Sequence, residues 1–217
     1  MRELCRRCLR PRAACVCEGL VPAPSRTRVV LLQHPREARV AICSARLARV
    51  ALENAELHQG VVFAGHARLA EVLAQPDGAL LYPGPDAVPA TARAGDPPRH
   101  LVVIDGTWLQ VERMLRDNPQ LAALPKLSVV PDGAEGYGLL RREPEAHCMS
   151  TIDAVALALG ALERDPARFE PMRAAFRRMV AKQLECAQGA RRSPRHRPGS
   201  RGKAAAGGGG QREPQER

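Results

Sequence analysis

The apolar positions of this chain fall into short unbroken runs separated by turns, and the sharpest run is Leu101-Val102-Val103-Ile104. Four consecutive apolar, mostly β-branched residues predict a strand buried on both faces, as in the middle of a parallel sheet. Polarity then breaks at Asp105-Gly106-Thr107-Trp108. Asp105 falls at the strand's end, Gly106 permits a sharp or φ > 0 turn, and Thr107 is placed to cap a helix carrying Val111, Met114 and Leu115. Asn118-Pro119 ends that helix. Arg28 to Gln33 reads as a buried strand stopped by His34-Pro35-Arg36-Glu37; Val61-Val62-Phe63, Ala79 to Tyr82 and Lys126 to Val130 read as three more. Helical spacing runs through 40–57, with Val40, Cys43, Leu47, Val50 and Leu57 on one apolar face. A third helix starts at Ser150-Thr151-Ile152-Asp153, with Val155, Leu159 and Leu162 inward. A last one, about 168–186, turns Phe169, Met172, Phe176, Met179 and Val180 inward and Arg173, Arg177, Arg178 and Lys182 outward. Residues 86–99 read as loop, and 131–149 as a long irregular segment of the kind that often binds ligands. Strands alternating with helices predict an α/β fold: a mostly parallel sheet with flanking helices.

That architecture changes the meaning of Asp105. A carboxylate on the C-terminal end of a parallel strand, beside a helix N-terminus, sits where open α/β sheets bind ligands. His34 and Glu37 follow the first strand at the same edge, and Pro83-Gly84 follows another. Backbone N–H groups at the Ser150-Thr151 helix start are suited to a carboxylate ligand. The plain structural alternative is that Asp105 and Thr107 cap a helix, Trp108 fills core and His34 is an ordinary hydrogen-bonded surface residue.

The chain's 217 residues suffice for one good-sized core. No apolar run approaches the roughly 20 residues of a membrane helix, and no signal-peptide pattern follows Met1, so the expectation is a soluble cytoplasmic protein with no membrane partner. The net charge of +10 is unevenly placed: residues 1–28 carry seven Lys/Arg against two acids and 187–217 eight against two, around a nearly neutral body. Basic ends favour a polyanionic partner such as nucleic acid.

Seven cysteines without an export signal argue against a disulfide framework. Cys5-x-x-Cys8 and Cys15-x-Cys17 instead offer four thiolates for one tetrahedral, structural Zn²⁺ with no open position; unliganded thiols or a redox pair are the alternative. Three regions follow: 1–24, a zinc knuckle ending in the stiff linker Val21-Pro-Ala-Pro24; 25–187, the α/β domain; and 188–217, a basic tail whose Arg, Gly, Pro, Ser and Ala predict disorder. Gly207–Gly210 lacks the Lys-Ser/Thr and the flanking elements of a phosphate loop.

Taken in order, these stations resemble the DTW-domain family, specifically its bacterial transfer-RNA uridine aminocarboxypropyltransferases. The residues that carry the resemblance are Cys5, Cys8, Cys15 and Cys17; His34-Pro35-Arg36-Glu37; Leu81-Tyr82-Pro83-Gly84; Asp105-Gly106-Thr107-Trp108, matching an Asp-x-Thr-Trp signature; and Ser150-Thr151-Ile152-Asp153-Ala154. The resemblance covers about residues 5–186. Two departures stand out: Cys43-Ser44 occupies the place of the family's common Asn-Thr, and Asp153 that of its usual Glu.

The resemblance implies a fold similar to the trefoil-knotted SPOUT methyltransferases and use of S-adenosylmethionine (SAM) as co-substrate. The donor's 3-amino-3-carboxypropyl group would pass to N3 of a uridine in tRNA, giving acp3U and 5′-methylthioadenosine. Asp105, Thr107 and Trp108 are then the candidate catalytic residues, with Asp105 taking the N3 proton or holding the donor's amino group and Trp108 stacking on an aromatic ring or packing the pocket wall. Tyr82, Pro83, Gly84, Asp105, Gly106, Arg141, Ser150 and Thr151 are the candidate cofactor contacts, Arg141 and the Ser150-Thr151 helix start suiting the donor carboxylate. The rivals are an RNA methyltransferase on the same fold, a ribosomal-RNA aminocarboxypropyltransferase, and a non-catalytic zinc-bearing RNA-binding protein.

Overall fold

The structure is a computed structural model that describes residues 3–40, 42–131 and 149–192, with side chains through 186. Its sheet is parallel throughout: β1 (Arg28–Gln33), β2 (Ala55–Gln59), β3 (Gly78–Leu81), β4 (Val88–Pro89), β5 (His100–Asp105) and β6 (Lys126–Ser128). The strand order is β2-β1-β5-β3-β6-β4. Around it pack α1 (Ser44–Ala51), α2 (Ala67–Leu73), α3 (Trp108–Asp117), α4 (Pro119–Ala122), α5 (Thr151–Glu163) and α6 (Pro166–Arg192).

Side chains alternate across a strand, so each apolar run divides between two layers. Val29, Leu31, Leu101 and Val103 pack into the cluster that holds α1, α5 and α6. Val30, Leu32, Val102 and Leu80 pack with Leu69 of α2, Met114 of α3 and Leu121 of α4. These strands are apolar at every position because both faces are covered.

The neighbouring strands β1 and β5 lead their chains apart. From β1 the chain crosses through α1 to β2 on one side; from β5 it crosses through α3 and α4 to β6 on the other. Right-handed crossovers running in opposite directions place their helices on opposite faces, as observed. The gap between the C-terminal ends of β1 and β5 is therefore a topological switch point, the place where open parallel sheets receive ligands. Gln33 and Asp105 are register partners across it.

Several local expectations change. Residues 40–57 are not one helix: α1 stops at Ala51, Leu52 turns extended, and Leu57 lies in β2. The residues between β2 and α2, including Val61-Val62-Phe63, form no strand but a loop, fastened by Asn118, whose Oδ1 accepts from the Phe63 N–H at 2.7 Å and whose Nδ2 donates to the Val61 and Met114 carbonyls. The stretch 86–99 holds β4 and a short 3₁₀ turn, Ala90–Arg93. The strand begun at Lys126 closes at Ser128, and the last helix runs on to Arg192. Pro22-Ala23-Pro24 is no free linker, because Ala23 is buried and its N–H donates to the Ala51 carbonyl at 2.8 Å. Nor do all the α6 cations face water: Arg173 packs against Asp153, and Lys182 Nζ donates to the Cys15 carbonyl at 2.8 Å. No helix among the described residues is long and apolar enough to cross a membrane.

Candidate active site and metal centre

Asp105 is the last residue of β5, on the odd series that faces α1 and α5. It is 7% exposed, and each carboxylate oxygen already accepts one hydrogen bond. Gln33 Nε2 donates to Oδ2 at 2.8 Å, and Thr151 Oγ1, from the first turn of α5, donates to Oδ1 at 2.5 Å. The same Gln33 amide donates to Cys43 Sγ at 3.0 Å, and Cys43 is the N-cap of α1. The first turn of α5 thus touches the carboxylate directly, and the start of α1 reaches it through Gln33. Burial pushes the Cys43 thiol up, and the neighbouring Asp105 adds to it. Sequence reasoning placed Cys43 in the apolar core; it is buried, but beside the site.

After Asp105 the chain turns directly into α3. Thr107 and Gln110 form a capping box, with Gln110 Oε1 accepting from the Thr107 N–H at 2.8 Å. Gly106 does not adopt a positive φ. Its place is close-packed: a Cβ there would lie 3.1 Å from Gln110 Cβ and 3.2 Å from its Oε1, so Gln110 would have to give by a few tenths of an ångström. Trp108, half-buried at the start of α3, meets Tyr82 edge to face with ring centroids 6.1 Å apart. Burial raises the Tyr82 hydroxyl. Pro83 and Gly84 follow as exposed backbone at the end of β3, the strand beside β5.

Ser150 caps α5 as expected: its Oγ accepts from the Asp153 N–H at 3.2 Å and donates to Asp153 Oδ2 at 2.6 Å. The Asp153 side chain therefore turns onto the capping hydroxyl. Burial pushes that carboxyl up, with Ser150 and Arg173 opposing the shift. His34 Nδ1 accepts from the Arg36 N–H at 3.2 Å, and the His34 backbone N–H donates to the Asp105 carbonyl at 2.9 Å. Arg141 and residues 132–148 lie outside the described residues. Asp105 and Thr151 are thus in direct contact, with Ser150 next to Thr151 and Gly106, Thr107 and Trp108 following Asp105. Gln33 is the site residue that spacing did not single out; the available signal was a lone amide ending an otherwise apolar strand.

The N-terminal cysteines form a second centre. A Leu4–Pro11 antiparallel bridge folds the first pair back, and Leu9 makes the turn at φ 56°. The Sγ atoms of Cys5, Cys8, Cys15 and Cys17 all lie within 4.8 Å of one another, with Cys8 and Cys15 3.8 Å apart. Four sulfurs at tetrahedral Zn–S distances would be separated by about 3.8 Å, so this set can hold a metal ion. Burial and the neighbouring thiols push Cys17 up, whereas the Cys8 backbone N–H holds Cys5 down to about 6. A dication would relieve that crowding. The knuckle is built into the domain: Arg7 donates to the Cys17 and Leu20 carbonyls, Val50 of α1 packs against the thiols, and Val16 and Leu20 enter the main core.

Fold and geometry together define a parallel α/β protein with a buried carboxylate at the β1/β5 switch point and, docked on one face, a four-cysteine cluster able to hold a metal ion. The DTW domain family model matches residues 2–184, and the chain belongs to that family. A relative from Drosophila melanogaster named tRNA-uridine aminocarboxypropyltransferase 2 is 33% identical over 175 residues, covering 76% of this chain and 68% of the relative. The Mus musculus protein of the same name is 29% identical over 173 residues, 76% of this chain and 58% of that one. The Arabidopsis thaliana tRNA-uridine aminocarboxypropyltransferase A is 28% identical over 205 residues, 78% and 76% respectively. No solved structure matches the chain.

Proposed function

We propose that this protein transfers the 3-amino-3-carboxypropyl group of SAM to N3 of a uridine in tRNA, forming acp3U and releasing 5′-methylthioadenosine, in the cytoplasm. The relatives' names support the reaction, and the observation that carries it to particular residues is Asp105, held by Gln33 and Thr151 at the switch point. SAM supplies a sulfonium whose attached carbons are electrophilic, so the protein's task is to orient rather than to activate.

The residues fit that donor. Asp105, buried with one hydrogen bond on each oxygen, keeps lone pairs for an ammonium group. Because both oxygens are already engaged, the arrangement favours a counter-charge for the donor's amino group over a freely moving base. The N3 proton would then leave to solvent at the open sheet edge. The Thr151 and Ile152 N–H groups at the start of α5 suit a carboxylate. The Trp108–Tyr82 pair suits an aromatic ring, and the exposed backbone at Pro83-Gly84 suits its edge. Zn²⁺ in the Cys5, Cys8, Cys15, Cys17 site would act as a cross-link, and the knuckle with the basic tail would grip tRNA phosphates with salt-dependent affinity.

The test is mass spectrometry of the small-molecule product after incubating the protein with SAM and unmodified tRNA. Methylthioadenosine is the expected product. S-adenosylhomocysteine would instead indicate methyl transfer, and absence of turnover by zinc-loaded protein would indicate an RNA-binding module.

A further inference from the structure

We propose that Gln33 is a positioning residue that fixes the Asp105 carboxylate for the donor, acting across the β1/β5 pair and from the start of α1. The inference rests on the donor-binding reading above and extends it to a residue outside the signature that marks the family.

Gln33 is wholly buried, and its side-chain amide has two N–H groups. Nε2 donates to Asp105 Oδ2 at 2.8 Å and to Cys43 Sγ at 3.0 Å, while Oε1 is left buried with no hydrogen-bond partner among the described residues. An unpartnered buried carbonyl is costly, so the orientation needs a cause. The reverse orientation supplies none: it would set the amide oxygen 2.8 Å from a carboxylate oxygen, two acceptors face to face. The amide is therefore turned by Asp105.

Length and register narrow the choice of residue. Gln33 and Asp105 end adjacent parallel strands as direct partners, and both fall on the face toward α1 and α5. A Glu at 33 would oppose a second carboxylate to the first, a Leu would donate nothing, and an Asn would fall one methylene short. Thr151 holds the other oxygen from α5, so the carboxylate plane is fixed from two elements. Among the described residues, the other charged or titratable groups near this corner include Cys43 and Arg46 on α1, His34 after β1, and Asp153 on α5 with Arg173 on α6. Among the described residues, Gln33 and Thr151 are the side chains that donate to the Asp105 oxygens.

The test is a double-mutant cycle of Gln33→Leu and Asp105→Asn in the full-length, zinc-loaded protein, read on SAM dissociation constant by calorimetry and on melting temperature. Gln33→Leu is expected to weaken SAM binding about ten-fold and raise KM for SAM with a smaller change in kcat. In the Asp105→Asn background it should add no further loss of affinity, because its effect passes through the carboxylate. The exchanged pair Gln33→Glu with Asp105→Asn restores an amide facing a carboxylate. It should recover the melting temperature lost in Gln33→Glu alone without recovering SAM affinity, since the charge now sits on the neighbouring strand. Additive affinity losses in the cycle, or Gln33→Leu that melts lower yet binds SAM as the parent does, would overturn the proposal and leave Gln33 a core residue. Parent protein that binds no SAM would overturn the donor reading, and with it Gln33's role toward the donor, and is told apart by its failure before any substitution.

Discussion

Removing the Thr151 hydroxyl tests the hold on the Asp105 carboxylate from its other side. Thr151→Val keeps the β-branched shape at the first turn of α5 and deletes one hydrogen bond, Oγ1 to Asp105 Oδ1 at 2.5 Å. A hydrogen bond to a charged group is worth about 1.5–3 kcal/mol, and Asp105 is only 7% exposed, so water replaces it poorly. Taking about 2 kcal/mol, and 2–4 °C per kcal/mol for a domain of this size, the melting temperature should fall by about 4–8 °C. Thr151→Ser retains the donor and loses only a methyl, so it should stay within about 1 kcal/mol of the parent. Differential scanning fluorimetry without ligand reads the stability difference, and calorimetric titration with SAM reads affinity, which should weaken in the Val variant and not in the Ser variant. Equal melting temperatures and equal SAM affinities for Val and Ser would show that the hydroxyl has no measurable partner in Asp105.

Three other outcomes follow from the same structure. Chelation, or Cys8→Ser, should release stoichiometric zinc measurable by elemental analysis and lower the melting temperature by at least about 5 °C, since Val16, Leu20 and Ala23 tie the knuckle into the main core. Gly78→Ala should destabilise by about 2 kcal/mol through overpacking, because a Cβ at that position falls within the His100 ring; in a His100→Ala background the cost should nearly vanish. His100 is buried and burial holds its imidazole below the ordinary value, so the unfolded chain binds the extra proton first and stability should decline as pH falls below about 6.5. His100→Leu should flatten that acid limb in melting scans between pH 7.5 and 5, and an unchanged limb would assign it to other groups.

What could be read from residues alone was the part governed by local rules. β1 and β5 are continuous apolar runs ended by polar residues, and they emerged at or within one residue of their bounds. Ser150 as a cap, the Thr107 helix start and the packing of four cysteines into thirteen residues are likewise local chemistry. β2 escaped because an edge strand with Glu56 and His58 on one side and Leu57 on the other continues the helical spacing of Leu47 and Val50 by coincidence. Glu56 belongs there for a tertiary reason, its carboxyl held down to about 2 chiefly by Arg68, with His58 and Arg28 adding to it. α2 escaped because seven residues capped by His66 carry too short a period to register. The Gln33–Asp105 bond joins positions 72 apart, and no spacing rule connects them. Their adjacency follows from the strand order, which is fixed by packing of whole layers.

The transfer itself can be followed with a doubly labelled SAM, carrying distinct isotopes in the methyl group and in the aminocarboxypropyl chain, incubated with tRNA before nucleoside digestion. The chain label should enter a uridine nucleoside while the methyl label leaves in methylthioadenosine, and Asp105→Ala should abolish both without releasing tRNA. Methyl label in the nucleoside, or full transfer by Asp105→Ala, would contradict the proposed function.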